Sequence, residues 1–424
     1  MLSVKNPIMT GFFPDPSICR VGNKFYTVHS TFAYFPGVPV FESEDLVHWN
    51  LISNVLDRDS QVPLSGCQHS QGIFAPTIRY HKGTWYMITT NVSDQGNFIV
   101  TAKDPRGPWS EPYYLGESTG GIDPSLFFDD DGTCYYIGQR PRSAGYRYNG
   151  DCEIWIQTLD LDTMQLKPDA TIVLTGFQRK AIWPEGPHLY KKDGYYYILH
   201  AESGTSIHHS VMIARSKNVF GPYEYCPCNP ILTHRHLGAQ YPVTCVGHAD
   251  LVDDGNGNWY MVVLACRPNQ GYTLLGRETF LAKVTWEDGW PVVNAGVGHL
   301  EEVVTLPYEG QPSDDVPQCK TYTFDTPSLP LELLTLRNHR DHELELHAEE
   351  HIVRLFHRCD SLKDCGEPAY LALRQQHWNC EFETSFIPHF CKESDCAGIA
   401  MVQSNENHLR AECYTQRSEE HTSE

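Results

Sequence analysis

One short pattern recurs five times in this chain and leaves little freedom for the fold. A turn residue, Gly or Asn, leads into an aromatic-Tyr stretch and then apolar residues. The copies are NKFYTV, GTWYMI, GTCYYI, GYYYIL and GNWYMV. Their tyrosines, Tyr26, Tyr86, Tyr135, Tyr197 and Tyr260, lie roughly 50 to 63 residues apart, long enough for one four-stranded blade with its loops. Five copies predict a five-bladed β-propeller.

A second element precedes each copy: FPDPSI, IFAPTI, GIDPSL, WPEGPHL and VGHADL. Each ends in an apolar residue eight or nine positions before its tyrosine. Aligned this way, Asp15, Ala75, Asp123 and His248 are equivalent, and Glu185 sits one step earlier in its copy. The first strand of each propeller blade lines the central channel, so the repeat places Asp15, Asp123, Glu185 and His248 around one axial funnel. Read singly, Asp-Pro-Ser is an ordinary turn signal. Three acids in register with an independent repeat are poorly explained as punctuation.

Three carboxylic acids in one funnel suit glycoside hydrolysis. One protonated acid serves the leaving oxygen, an ionised carboxylate serves as base or nucleophile, and a third raises the acid's proton affinity by like-charge repulsion. Phe32, Tyr34, Phe35, Phe74 and Trp183 are candidates to stack on sugar faces or to serve as core. A carboxylate cluster could alternatively hold Ca²⁺, but no EF-hand-like loop occurs, and Asp129-Asp130-Asp131-Gly132 reads as a hairpin turn. His248 reads equally as a base, a metal ligand or a core histidine. A hydrolase triad built on it has little support.

Composition narrows the partners. A net charge of −21 disfavours nucleic acid and anionic membrane surfaces. The N-terminal stretch has no apolar core of a signal peptide, and fifteen Cys without a repeating framework fit reduced thiols. A cytoplasmic protein is expected, and a homo-oligomer is compatible with the sequence.

After Leu306 the chain becomes polar and Pro-rich, so 1–306 reads as the propeller and 307–322 as a linker. Segments ELELHAEEHIVRLFHR, AYLALRQQ and CEFETSFIP then alternate apolar and polar residues like half-buried strands. Residues 323–416 read as a partial β-sandwich. Residues 417–424, RSEEHTSE, read as a translated sequencing adapter.

At these motifs the chain resembles glycoside hydrolase family 43, in the branch of β-xylosidases and α-L-arabinofuranosidases with a C-terminal β-sandwich. The resemblance rests on NPIMTGFFPDPSI, GIFAPTIRYHKGTWYM, GGIDPSLFFDDDG, WPEGPHLYKKDGYYY, NPILTHRHLG, VGHADLV and LGRETFLAKVTWEDGWPVV. It implies an all-β fold: a five-bladed β-propeller followed by a truncated concanavalin-like β-sandwich. It implies an inverting displacement with Asp15 as general base, Glu185 as general acid and Asp123 orienting Glu185 and raising its proton affinity. Inversion asks for about 6.5–9.5 Å between base and acid. The resemblance further implies that Arg277 hydrogen-bonds the terminal sugar, with Phe32, Phe74, Thr205 and His248 lining the pocket. Relatives often carry a larger aromatic where Phe74 stands. No cofactor is required, and Ca²⁺ near the axis is allowed but not demanded. A sandwich loop helps close the site in this branch, so a shortened sandwich would weaken activity. The expected function is exo-release of xylose from short xylo-oligosaccharides. The alternatives are α-L-arabinofuranosidase activity, a non-catalytic sugar-binding propeller and a five-bladed fructosidase.

Overall fold

The computed structural model describes residues 1–116, 120–311, 319–338 and 344–414. Within them the protein is all β apart from one 3-10 turn at Phe177–Arg179. Five antiparallel sheets follow one another along the chain, each built on a meander, and in the third Thr171–Thr175 returns to pair with Cys152–Asp160.

Their innermost strands are Ser17–Val21, Thr77–His81, Ile122–Phe128, Glu185–Lys192 and Thr244–Asp253. Each pairs with a second strand that carries one of the repeated tyrosines: Lys24–Val28, Thr84–Asn91, Cys134–Pro141, Tyr195–Glu202 and Trp259–Cys266. The inner strands contact one another in sequence order, and Thr244–Asp253 returns to Ser17–Val21, which closes the ring. Outside it, Leu2–Lys5 pairs antiparallel with Val303–Leu306. The stretches after Asp104 and after Asn218 carry short outer strands, Tyr113–Tyr114 and Glu224–Tyr225.

The apolar residues that end the inner motifs, Ile18, Ile78, Leu126, Leu189 and Leu251, are all buried. Side chains alternate along a strand, so the residues just before them face the other way, toward the axis. Those residues are Ser17, Thr77, Ser125, His188 and Asp250, and all are buried too. They meet in one polar layer. Ser17 Oγ donates to Asp250 Oδ2 at 2.8 Å, and Arg79 Nη1 donates to the same oxygen at 3.0 Å. Arg79 Nη2 and Ser125 Oγ each lie 3.1 Å from His188 Nδ1, and the Tyr190 hydroxyl donates to Asp250 Oδ1. All five blades supply part of this floor, since Thr77 Oγ1 donates to the Pro124 carbonyl at 3.0 Å.

The C-terminal part docks on the first two blades. Thr335–Leu336 adds antiparallel to Tyr34–Phe35. Arg337, fully buried, donates its backbone N–H to the Ala33 carbonyl at 2.7 Å. Its Nε donates to Cys67 O and its Nη1 to Gly366 O, each at 2.6 Å. Beyond this point lie two hairpins, Leu344–His347 with Ile352–Leu355 and Cys396–Val402 with His408–Tyr414. AYLALRQQ and CEFETSFIP do not form the strands that their alternation suggests. The first contributes one bridge, Ala372 to Leu334, and the second none. Alternation specifies which face is buried, but a ladder also needs a partner edge, and among the described residues the first segment meets one at Leu334 alone and the second meets none. Part of the linker expected over 307–322, at 312–318, and the supposed adapter at 417–424 lie outside the described residues.

Candidate active site

The polar floor has a second layer above it, built from the residues two positions earlier on each inner motif. Asp15, Asp123, Gly186 and His248 occupy equivalent places, and all four have left-handed backbones, with φ of 54°, 55°, 58° and 50°. Non-glycine residues in this region are strained by about 1–2 kcal/mol each, a cost that concentrates at functional sites. The ladders are irregular at the same points, between Ile122 and Ser125, Glu185 and His188, and Thr244 and Ala249. Such bulges re-aim side chains. Glycine thus takes the repeat position in the fourth blade, and the bulge brings in Glu185 from one residue earlier. That accounts for its one-step offset in the sequence alignment.

The acids differ in their partners. Asp15, 6% exposed, receives Arg277 Nη1 at 2.7 Å and Ser30 Oγ at 2.6 Å. His248 Nδ1 stands 3.9 Å from Asp15 Oδ1. Burial alone would raise this carboxyl. Arg277, His248 and the Ser30 hydroxyl outweigh it and hold Asp15 below its ordinary value. Asp123 accepts the Gly186 N–H at 2.9 Å. Burial pushes Asp123 up to about 6, opposed by His248 and reinforced by the charge of Asp15. Glu185 lies well above the usual carboxylate range, first from burial and then from Asp123 and Asp15, against Arg277. One pocket therefore holds one carboxyl biased toward its ionised form and another biased toward its protonated form.

The flanking walls are aromatic on the side of the first blade. Phe12 stacks on Phe32 at 5.5 Å, Phe32 meets Phe74 edge-on at 5.4 Å, and the Arg277 guanidinium lies 5.4 Å from the Phe32 ring. Trp183, 39% exposed, stands two residues before Glu185. Thr205 is exposed on a loop whose Gly204 backs onto the Trp183 ring. Two of the five aromatic candidates are elsewhere. Phe35 belongs to the core, and Tyr34 pairs with Leu336 and donates to or accepts from His69 at 2.9 Å.

Sequence reasoning missed three contributors: Phe12, Ser30 and His209. His209 is fully buried, with Nε2 4.0 Å from Glu185 Oε1. None belongs to a repeated motif, so the period could not find them. Among the described residues, no group of three or more His, Cys, Asp or Glu side chains is arranged to hold a metal ion. The Arg277 guanidinium already neutralises Asp15. At the hairpin Asp129–Gly132, Lys191 is the cation that pairs with Asp129 and Asp130.

Comparison with known proteins agrees in both parts of the chain. Residues 4–291 match the family model of Glycosyl hydrolases family 43. Residues 321–423 match that of the beta xylosidase C-terminal concanavalin A-like domain. A xylosidase/arabinosidase of Butyrivibrio fibrisolvens is 55% identical, over 96% of this chain and 79% of the relative. A non-reducing-end α-L-arabinofuranosidase of Bacteroides ovatus is 40% identical, over 95% and 74%. The crystal structure of a xylan β-1,4-xylosidase from Bacillus halodurans superposes with a TM-score of 0.85 at 36% identity, over 96% of this chain and 79% of that one.

Proposed function

The chain belongs to glycosyl hydrolases family 43, and from that membership we propose that it releases single xylose units from non-reducing ends of short xylo-oligosaccharides by one inverting displacement. It is a glycosidase, and similar proteins carry xylosidase and arabinosidase names. In this reading Asp15 takes a proton from water as the water oxygen attacks the anomeric carbon. Glu185 gives its proton to the glycosidic oxygen as that C–O bond breaks, and the bonding pair stays on the departing oxygen. Asp123, fixed by the Gly186 N–H, keeps Glu185 protonated through repulsion. Phe32 and Phe74 form the apolar wall for the sugar, Arg277 donates to Asp15, and Arg277 and His248 supply donors to the sugar hydroxyls.

The observation that carries this reading is the graded proton affinity of the three acids, with Asp15 lowered and Glu185 raised within one pocket. A sugar-binding propeller has no use for a carboxyl held protonated. α-L-Arabinofuranosidase activity is the second reading, favoured by the Bacteroides ovatus relative. The fifteen free cysteines support a reducing, cytoplasmic setting.

The test is hydrolysis of 4-nitrophenyl β-xyloside and 4-nitrophenyl α-arabinofuranoside. Faster turnover of the xyloside is expected, with α-xylose formed first as seen by NMR. Retention of configuration, or no turnover of either substrate, would sink the proposal.

A further inference from the structure

His209 follows the loop between Tyr195–Glu202 and Ser210–Ser216, and no step above uses it. Its ring lies flat against the backbone of Gly247, where a Cβ would come within 2.4 Å of it. A side chain at 247 would displace the imidazole from the pocket. Nδ1 faces the Cys245 carbonyl oxygen at 3.3 Å. A carbonyl can only accept, so the ring carries its proton on Nδ1 and presents a lone pair at Nε2. That Nε2 is buried, has no hydrogen-bond partner and stands 4.0 Å from Glu185 Oε1. A buried acceptor without a donor is destabilising, and a small rotation of the Glu185 carboxyl would bring its O–H onto this one.

We propose that His209 is a positioning residue for Glu185, its Nε2 lone pair accepting the carboxyl proton of the free enzyme until a glycosidic oxygen replaces it. The proton stays on Glu185, and no charge moves to the imidazole. Burial, and then the neighbouring His248, push His209 down to about 3, which favours the neutral ring. The other groups that face this pair are Asp123 and Cys152 from the third blade, Asp15 from the first and Arg277 from the fifth. A lone pair beside Glu185 disfavours the carboxylate and favours the carboxyl. The tautomer fixed by Cys245 thus adds to the effect of Asp123.

This inference rests on Glu185 being the general acid, and the experiment separates the two. The pH dependence of kcat/KM on xylobiose is measured for the wild type, His209→Leu and His209→Gln. Glu185→Ala is assayed on xylobiose and on 2,4-dinitrophenyl β-xyloside, whose leaving group needs little protonation. His209→Leu is expected to move the basic limb to lower pH by about one pH unit. On the low-pH plateau its activity stays within about threefold. His209→Gln, whose amide oxygen can accept, restores most of the limb. A loss that is equal at every pH, or an unmoved limb, overturns the role of His209. If Glu185→Ala loses both substrates equally, the acid assignment itself falls.

A measurement on the unaltered protein guards against misfolded variants. With ¹⁵N-labelled histidine, the His209 Nε2 resonance should lack a bound proton and shift with the midpoint of the basic limb. A resonance flat through that range, or one bearing a proton, overturns the proposal.

Discussion

Arg277 Nη1 donates to Asp15 Oδ1 at 2.7 Å, joining residues 262 positions apart in the chain. The sequence led us to expect Arg277 on the sugar. The structure places it first on the Asp15 carboxylate, and its remaining N–H groups stay available as donors. Removing it should therefore act on the base. In Arg277→Ala the Asp15 carboxyl rises toward its ordinary value, so the acidic limb of kcat/KM moves to higher pH. A loss of roughly 10²-fold or more at the optimum is expected, consistent with losing a charge-assisted contact. An acidic limb that stays in place would show that Asp15 is not the base.

Asp123 should act in the opposite sense on the acid. Its charge raises Glu185, so Asp123→Asn lowers the proton affinity of Glu185 and moves the basic limb to lower pH. The amide can still accept the Gly186 N–H through its oxygen, which isolates the charge from the geometry. A loss of about 10²-fold on xylobiose is expected, smaller on a dinitrophenyl xyloside. Equal losses on the two substrates would point to a role in sugar binding.

The axial floor makes a stability prediction. Burial opposes ionisation of Asp250, but Arg79, His188 and Tyr190 bring it down to about 2. A carboxyl with a depressed folded value contributes stability above its unfolded value, near 4, and loses it as pH falls toward 2. Asp250→Asn should flatten the acid side of the stability curve between about pH 4 and 2. At neutral pH it should cost about 3 kcal/mol, because Arg79 is left buried and unpaired. Urea unfolding at pH 7 and pH 3 reads both effects, and an unchanged pH dependence refutes the assignment.

Arg337 makes a fourth test. Arg337→Met keeps the volume and removes the side-chain bonds to Cys67 O and Gly366 O. A destabilisation of about 2–4 kcal/mol is expected by chemical denaturation. KM should rise with it, because Ala33 and Tyr34, which pair with this segment, adjoin Phe32. Loss of stability with an unchanged KM would confine the contact to docking.

Much of this site was legible before any coordinates, and for a definite reason. The period of the tyrosine strands sets blade number, and each inner motif then has a fixed place on the axis. The polar floor was equally readable: Ser17, Thr77, Ser125, His188 and Asp250 fall two residues after the aligned positions in every copy. His209, Ser30 and Phe12 were not legible, since they reach the pocket from loops, where position depends on packing and not on period. Within the sandwich, AYLALRQQ and CEFETSFIP were overread as strands. Its alternating segments state a preference for one buried face, and they do not state which edge they pair with.

The pairing of Thr335–Leu336 with Tyr34–Phe35 bears on how such enzymes can be recombined. The boundary between the two parts does not coincide with a boundary in the sheet, because one backbone segment serves as pocket wall on one side and docking edge on the other. Gln376 Nε2 reaching the Thr10 carbonyl, and Arg374 lying over the Phe13 ring at 4.9 Å, repeat the arrangement beside Asp15. A chimera that exchanged the second part at the linker would thus disturb the lining of the sugar pocket without touching a residue that lines it. Ring and sandwich are better regarded as a single heritable unit than as a catalytic cassette with an accessory.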